Sequence, residues 1–343
     1  MSPSGPDAIR TFDGALSMNP TSDAIWVVTP YFNPAGYNRR LDNFRAFRRH
    51  LRAPLLVVEL AREGRHQLKE DDADIVIKLT GEDRMWQKER MINIGVAELP
   101  RHVEFVAWAD CDIIFENENW ADEAARRLAR NGGLLQPFET VAYMPNSIDP
   151  ASVTPRQCEE TRPLGTATSS AAAARTSLFD ENEARSMASQ GAYEISGNCY
   201  GMAWAARRSE FERCGLFDGA VIGGGDSVKT FAALRKFDHF IKTRPCSPGL
   251  VTYAENWIRR AEAAGLLQYL DNLPHHVFHL WHGEVADRNY LGRRRVLVDH
   301  DFDPTVDIEL AENGTWRWTH PQGELAREVG DYFFARKEDG ACE

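Results

Sequence analysis

Short β-branched apolar runs alternate along this chain with stretches of helical spacing. Ala24-Ile-Trp-Val-Val-Thr29 ends at Pro30 and reads as a strand entering a loop. Asn38 to Leu51 places Leu41, Phe44 and Phe47 on one helical face. Leu55 to Leu60 and Asp74 to Leu79 read as the next two strands. A helix from Met85 to Leu99, with Met91, Ile92 and Val96 inward, stops at Pro100. The apolar run His102 to Trp108 predicts a buried strand, and Trp120 to Arg130 a helix closed by Asn131-Gly132. Strands alternating with helices predict an α/β fold with a mostly parallel central sheet flanked by helices. Ligands bind such sheets at the carboxyl ends of the strands.

The stretch from Gln157 to Gln190 breaks the alternation. It is rich in Thr, Ser and Ala and weakly periodic, and reads as a mobile lid, a poorly anchored helix pair or a variable insertion. Order returns with a strand at Gly201 to Arg208, a short helix from Ser209 to Cys214, and a helix from Ser227 to Lys236. The expected division is a flexible leader over 1–23, one domain over 24–299 that includes 157–190, and a C-terminal extension over 300–343 packing on it. That extension ends in an amphipathic helix near Leu325 to Arg336.

Composition narrows the class. The chain has 343 residues, 43% hydrophobic and 27% charged, as in an ordinary soluble globule. A net charge of -11 argues against general nucleic-acid binding. No apolar run is long enough for a membrane span, and the polar Met1 to Asp23 has no signal-peptide core. The six cysteines show neither CxxC nor regular spacing, so no zinc knuckle or disulfide framework is indicated. The expected location is cytoplasmic.

The chemistry gathers around Trp108-Ala-Asp110-Cys-Asp112. Carboxylates two apart on a strand point the same way, and where the strand frays both can reach one hard cation, Mg²⁺ or Mn²⁺. The same pair also reads as an acidic strand end. Upstream, Trp86-Gln-Lys88-Glu-Arg90-Met-Ile-Asn93 puts basic groups on a helix, where they can meet phosphate or solvent. Downstream, Gly223-Gly-Gly-Asp226 lets backbone approach a ligand closely, with Asp226 as helix N-cap or as a proton acceptor. His275-His-Val-Phe-His279-Leu-Trp281-His282-Gly ends an apolar strand with two imidazoles.

The order strand-loop Val27 to Tyr31, Lys88 helix, Asp110-Cys-Asp112 and Gly201 to Asp226 resembles the GT-A-fold glycosyltransferases over roughly residues 24 to 283. The likeness is nearest to the β-1,4-galactosyltransferase and polypeptide N-acetylgalactosaminyltransferase side. It implies a metal-dependent transfer from a nucleoside-diphosphate sugar, UDP-sugar favoured, to a carbohydrate or other hydroxyl acceptor. By that resemblance Asp112 ligates the metal, Asp110 binds ribose or the metal through water, and His282, with His279 second, completes the shell. Asp226 is then the base of an inverting transfer. Thr29, Tyr31, Glu59, Lys88, Arg90 and Asn93 fall where the donor would bind, and Arg288, Tyr290 and Arg293 where its diphosphate would be clamped. Gly224, Gly225, Trp204 and Trp281 fall on the acceptor side, although a buried Trp is more often core. Gly225 and Ser227 beside Asp226 depart from the galactosyltransferase pattern, which carries further acids there.

Rival classes fit less well. A nucleotidyltransferase wants a Gly-rich, Arg-bearing loop after the first strand, where this chain has Pro30-Tyr-Phe-Asn-Pro-Ala-Gly36. A dinucleotide fold wants G-x-G-x-x-G there. A metal-dependent hydrolase leaves the Lys88 helix and the glycine turn unexplained. A transferase acting on modified nucleic-acid bases sits poorly with the negative charge.

Overall fold

A computed structural model describes residues 24–188, 197–290 and 292–340. The expected leader over 1–23, and residues 189 and 190 of the Thr/Ser/Ala-rich stretch, lie outside the described residues. The chain begins β1 (Ile25–Phe32), α1 (Asn38–His50), β2 (Leu55–Ala61), β3 (Ile75–Thr80), α2 (Lys88–Ala97) and β4 (Phe105–Ala109). It continues β5 (Ile113–Phe115), α3 (Trp120–Asn131), β6 (Leu134–Gln136), β7 (Thr140–Tyr143), α4 (Pro155–Glu160) and β8 (Gly165–Ser169). Next come α5 (Ser170–Arg175), α6 (Phe179–Ala188), β9 (Asn198–Cys199), β10 (Ala203–Arg207), α7 (Arg208–Phe211) and α8 (Gly225–Ala233). Then α9 (Phe237–Thr243), α10 (Pro248–Ala263), β11 (Leu270–Asn272), β12 (His276–His279) and α11 (Arg295–Asp299) follow. The last elements are α12 (Pro304–Asp307), β13 (Ile308–Leu310), β14 (Trp316–Trp318) and α13 (Glu324–Ala335).

The central sheet has the order β11-β6-β10-β4-β1-β2-β3. β1 pairs in parallel with β2 and β4, and β2 with β3, while β10 runs antiparallel to β4. β2 and β4 are buried along their whole length, as continuous apolar runs covered on both faces must be. Gly95 lets α2 lie close on this sheet, since a Cβ there would come within 2.6 Å of Val28 and 2.9 Å of Val58. A second sheet, β5-β12-β7-β8-β9, stands beside the first. In it β12 pairs antiparallel with β5, setting His279 opposite Ile113, one residue past Asp112.

Two helix boundaries need correction, and the stretch 157–190 takes a definite place in the second sheet. The stretch 157–190 supplies most of α4, then β8, α5 and α6, and β8 pairs with both β7 and β9. Its alanines, Ala171 to Ala173, are buried, because small side chains let α5 pack closely. The helix expected from Ser209 to Cys214 is a single turn, α7. The helix expected from Ser227 begins at Gly225, because Gly224, at φ 107°, takes the N-cap position with no side-chain cap. Asp226 is therefore in the first turn of α8 and does not cap it.

Residues 300–340 pack on the rest of the chain. Trp316 and Trp318 donate backbone N–H groups to Gln87 and Asp83, and the Tyr37 hydroxyl meets the Phe333 and Phe334 carbonyls. Five of the cysteines are described and all five are free. Among the described residues no helix is long and apolar enough to cross a membrane.

Candidate active site

A cavity of about 500 Å³ opens where β1 and β4 end, and Pro30, Phe32, Lys88, Asp110, Asp112 and Asp226 are among the residues lining it. Lys88, at the start of α2, is half-buried between two carboxylates. Its Nζ lies 2.5 Å from Asp110 Oδ1 and 2.9 Å from Asp226 Oδ2. Lys229, one turn along α8, lies 2.8 Å from the other Asp226 oxygen and stacks over Trp204 and Trp108. Burial pushes the Asp226 carboxyl up, but the ammoniums of Lys229 and Lys88 outweigh it and hold the group at about 2. Burial wins at Asp110, which is raised above the carboxylate norm despite Lys88. Beneath them Glu89 is buried, and that burial, with the Asp226 charge, pushes it up to about 8.

The two acids of Asp110-Cys-Asp112 part company. Asp110 follows β4 and pairs with Lys88, outside the group that can hold a metal. Asp112, just before β5, is held by the antiparallel β12, whose next residue Leu280 donates its N–H to the Asp112 carbonyl at 2.8 Å. His282 Nε2 lies 3.0 Å and His279 Nε2 3.7 Å from the Asp112 carboxylate, and the two ring nitrogens are 3.1 Å apart. Burial holds the His279 imidazole neutral, well below its ordinary titration range. At Asp112 burial is outweighed by His282 and His279, and the carboxyl stays ionised far below the usual range. Asp112 Oδ1 is buried with no hydrogen-bond partner. One carboxylate and two imidazoles, each offering an atom within 4.8 Å of the others, fit a divalent cation.

Behind His282 stand Arg336 and Glu338. Glu338 pairs with Arg40 and Arg336, and its Oε1 lies 3.7 Å from His282 Nδ1. Arg288 Nη2 is 3.0 Å from His282 Nε2, and its Nη1 donates to the Tyr290 hydroxyl at 3.2 Å. Arg288, Arg293 and Arg294 are buried and line the cavity. Arg293 and Arg294 lie against Gly223 and Gly224, and a Cβ on Gly223 would come within 2.9 Å of Arg293 Nη2. The glycines make room for guanidinium groups.

The structure gathers Lys88, Asp110, Asp112, Asp226, Gly224, His279, His282, Arg288 and Tyr290 around one cavity. Eight other expected residues do not line it. Thr29 donates its hydroxyl to Ala109 O, and Tyr31 to Gln67 Oε1 at 2.9 Å; both are buried on the face of β1 opposite Pro30 and Phe32. Glu59 accepts from the Gln67 and Leu68 backbone and orders the loop after β2. Arg90 and Asn93 face away on α2: Arg90 meets Gly314 O and Asp218, and Asn93 clips the backbone of Leu216 at 2.7 and 3.1 Å. Trp204 is core, Trp281 is buried with its Nε1 on Glu284, and Gly225 faces Glu89. Sequence reasoning missed Glu89, Lys229, Arg294, Arg40 and Glu338. Only Lys229 carried a signal, one helical turn after Asp226.

No family model matches the chain, and no curated protein does either. Among solved structures it is similar to S. aureus TarS 1-349 in complex with UDP-GlcNAc, at 17% identity and TM-score 0.25, over 38% of this chain and 36% of that one. It is similar to a mannosyltransferase from Pyrobaculum calidifontis in complex with GDP-Man and Mn²⁺, at 14% identity and TM-score 0.37, over 92% and 71% of the two chains. It is also similar to glucosyl-3-phosphoglycerate synthase from Mycobacterium tuberculosis, at 14% identity and TM-score 0.31, over 86% and 87%. The chain thus spans about a third of the TarS chain it matches.

Proposed function

We propose that this chain is a GT-A-type glycosyltransferase that moves a sugar from a nucleoside-diphosphate donor to an acceptor hydroxyl. One observation carries the reading: a single cavity joins the Asp112, His279 and His282 group to a carboxylate, Asp226, that shares Lys88 with Asp110. A divalent cation held by Asp112, His279 and His282 would stabilise charge on the departing diphosphate, and the mixed oxygen and nitrogen set suits Mn²⁺ better than Mg²⁺.

The chain's own groups take the remaining roles. Arg288 and Tyr290 bind donor phosphate beside His282, Lys88 adds a point charge, and Asp110 orients the donor. The acceptor oxygen bonds to the anomeric carbon as the bond from that carbon to the phosphate oxygen breaks. The electron pair leaves with the diphosphate, and Asp226 takes the hydroxyl proton, inverting the centre. With two ammoniums on it, Asp226 is a poor proton acceptor. Capture of Lys88 by a donor phosphate removes one of them and raises the basicity of Asp226 where the acceptor enters. The test is thermal denaturation with Mn²⁺ plus UDP, with Mn²⁺ plus GDP, and with NAD. A raised Tm with one nucleoside diphosphate is expected; no shift with any of them sinks the reading.

A further inference from the structure

The cavity holds more positive charge than a donor diphosphate requires. Four of its cations have carboxylate partners: Lys88 with Asp110 and Asp226, Arg40 and Arg336 with Glu338, and Arg244 with Glu183. Arg288, Arg293 and Arg294 have none among the described residues, although each is at least nine-tenths buried. Arg293 donates to the Tyr332 hydroxyl and lies over the Trp86, Tyr290 and Tyr332 rings, with no carboxylate among these partners, and its Nε has no hydrogen-bond partner. Arg294 stacks on Phe240, with its charge centre 5.1 Å from the ring centroid. Burial, with the nearby Arg293 charge, lowers Arg294 to about 10, and the side chain beside it that opposes this is the Cys246 thiol, not a carboxylate.

Buried guanidiniums are costly unless paired, and planar forks that lack carboxylates are suited to oxyanions. A nucleotide-sugar diphosphate carries one charge per phosphate, which a divalent cation already balances. Arg288 stands beside His282 and belongs to that end of the cavity. Arg293 and Arg294 pack instead on Gly223 and Gly224, in the turn that delivers Asp226. The amino terminus of α8 opens at the same turn and favours negative charge.

Resting on the transferase reading, we propose that Arg293 and Arg294 form an oxyanion subsite on the acceptor side, so that the acceptor is a hydroxyl compound bearing a phosphate or carboxylate. Neutral sugars would leave this pair without an anionic partner. The three-glycine turn then has a second purpose, clearing space for the guanidiniums that select the acceptor.

Inorganic phosphate is the probe, titrated calorimetrically into the protein alone and into the protein saturated with Mn²⁺ and whichever nucleoside diphosphate binds. Phosphate is expected to bind in both cases, without displacing the diphosphate. Arg294→Gln is expected to weaken phosphate binding about tenfold or more, with Arg294→Lys intermediate. The same variants should bind the diphosphate within about twofold of wild type, which also shows that they fold. Phosphate that competes with the diphosphate, or that binds Arg294→Gln as tightly as wild type, overturns the proposal. If no nucleoside diphosphate binds, the transferase reading and the acceptor assignment fall together, and the titration of the protein alone still decides whether Arg294 holds an anion.

Discussion

Lys88 Nζ stands 2.9 Å from Asp226 Oδ2 while touching Asp110 with the same ammonium, so one side chain ties the end of β4 to the first turn of α8. Lys88→Met leaves two half-buried acids facing each other beside Lys229. The expected result is a stability loss on the order of 3 kcal/mol, read by denaturant unfolding, and a loss of donor affinity of at least about tenfold. Unchanged affinity would place Lys88 outside the donor site.

Asp110 and Asp112 should separate in metal titrations. Asp112→Asn and His282→Ala should each weaken Mn²⁺ binding by at least about tenfold, measured by electron paramagnetic resonance of free Mn²⁺. Asp110→Asn should leave Mn²⁺ affinity within about threefold of wild type, because Asp110 is spent on Lys88. Equal losses in both aspartates would show that they share one ion.

Asp226→Asn keeps the size of the side chain and removes its ability to take a proton. Transfer should fall by about 10²- to 10⁴-fold while the diphosphate-induced Tm shift persists. Turnover close to wild type would reduce Asp226 to a partner for Lys88 and Lys229.

Glu89 makes stability depend on pH. Its carboxyl is pushed from 4.5 to about 8 by burial, with the Asp226 charge adding to it. Between those values the folded chain keeps a proton that the unfolded chain has lost, so this group's contribution falls as pH rises. Glu89→Gln cannot lose a proton and should remove that slope. Its Tm should match wild type near pH 4.5 and exceed it by a few degrees near pH 8. A difference that does not vary with pH would contradict the assignment.

The parallel core was legible because β4 is an unbroken apolar run and β2 is one but for Glu59, and such runs have few places to go except a sheet covered on both sides. Asp112, His279 and His282 stand out as polar groups at the ends of apolar runs, and Lys88 and Asp226 through their place in the order that resembles the glycosyltransferases; the structure brings all five to one cavity. The misplacements were errors of phase. On β1 the expected Thr29 and Tyr31 turn inward while Pro30 and Phe32 line the cavity. On α2 the expected Arg90 and Asn93 lie on the face that meets Asp218, whereas Lys88 faces the acids. Glu338 left no trace, since nothing near residue 338 says that it will meet Arg40 and stand behind His282.

That last contact joins residues 298 positions apart in the chain. During synthesis, β1, α1, β4 and even the two histidines leave the ribosome before the carboxylate that balances Arg40 and Arg336 exists. A nascent chain can therefore build its sheet early and must leave the pocket's charges unsettled until residue 338 arrives. If Asp112, His279 and His282 hold a cation as proposed, the carboxylate behind His282 is among the last of that centre's charges to be made, and translation sets when it arrives.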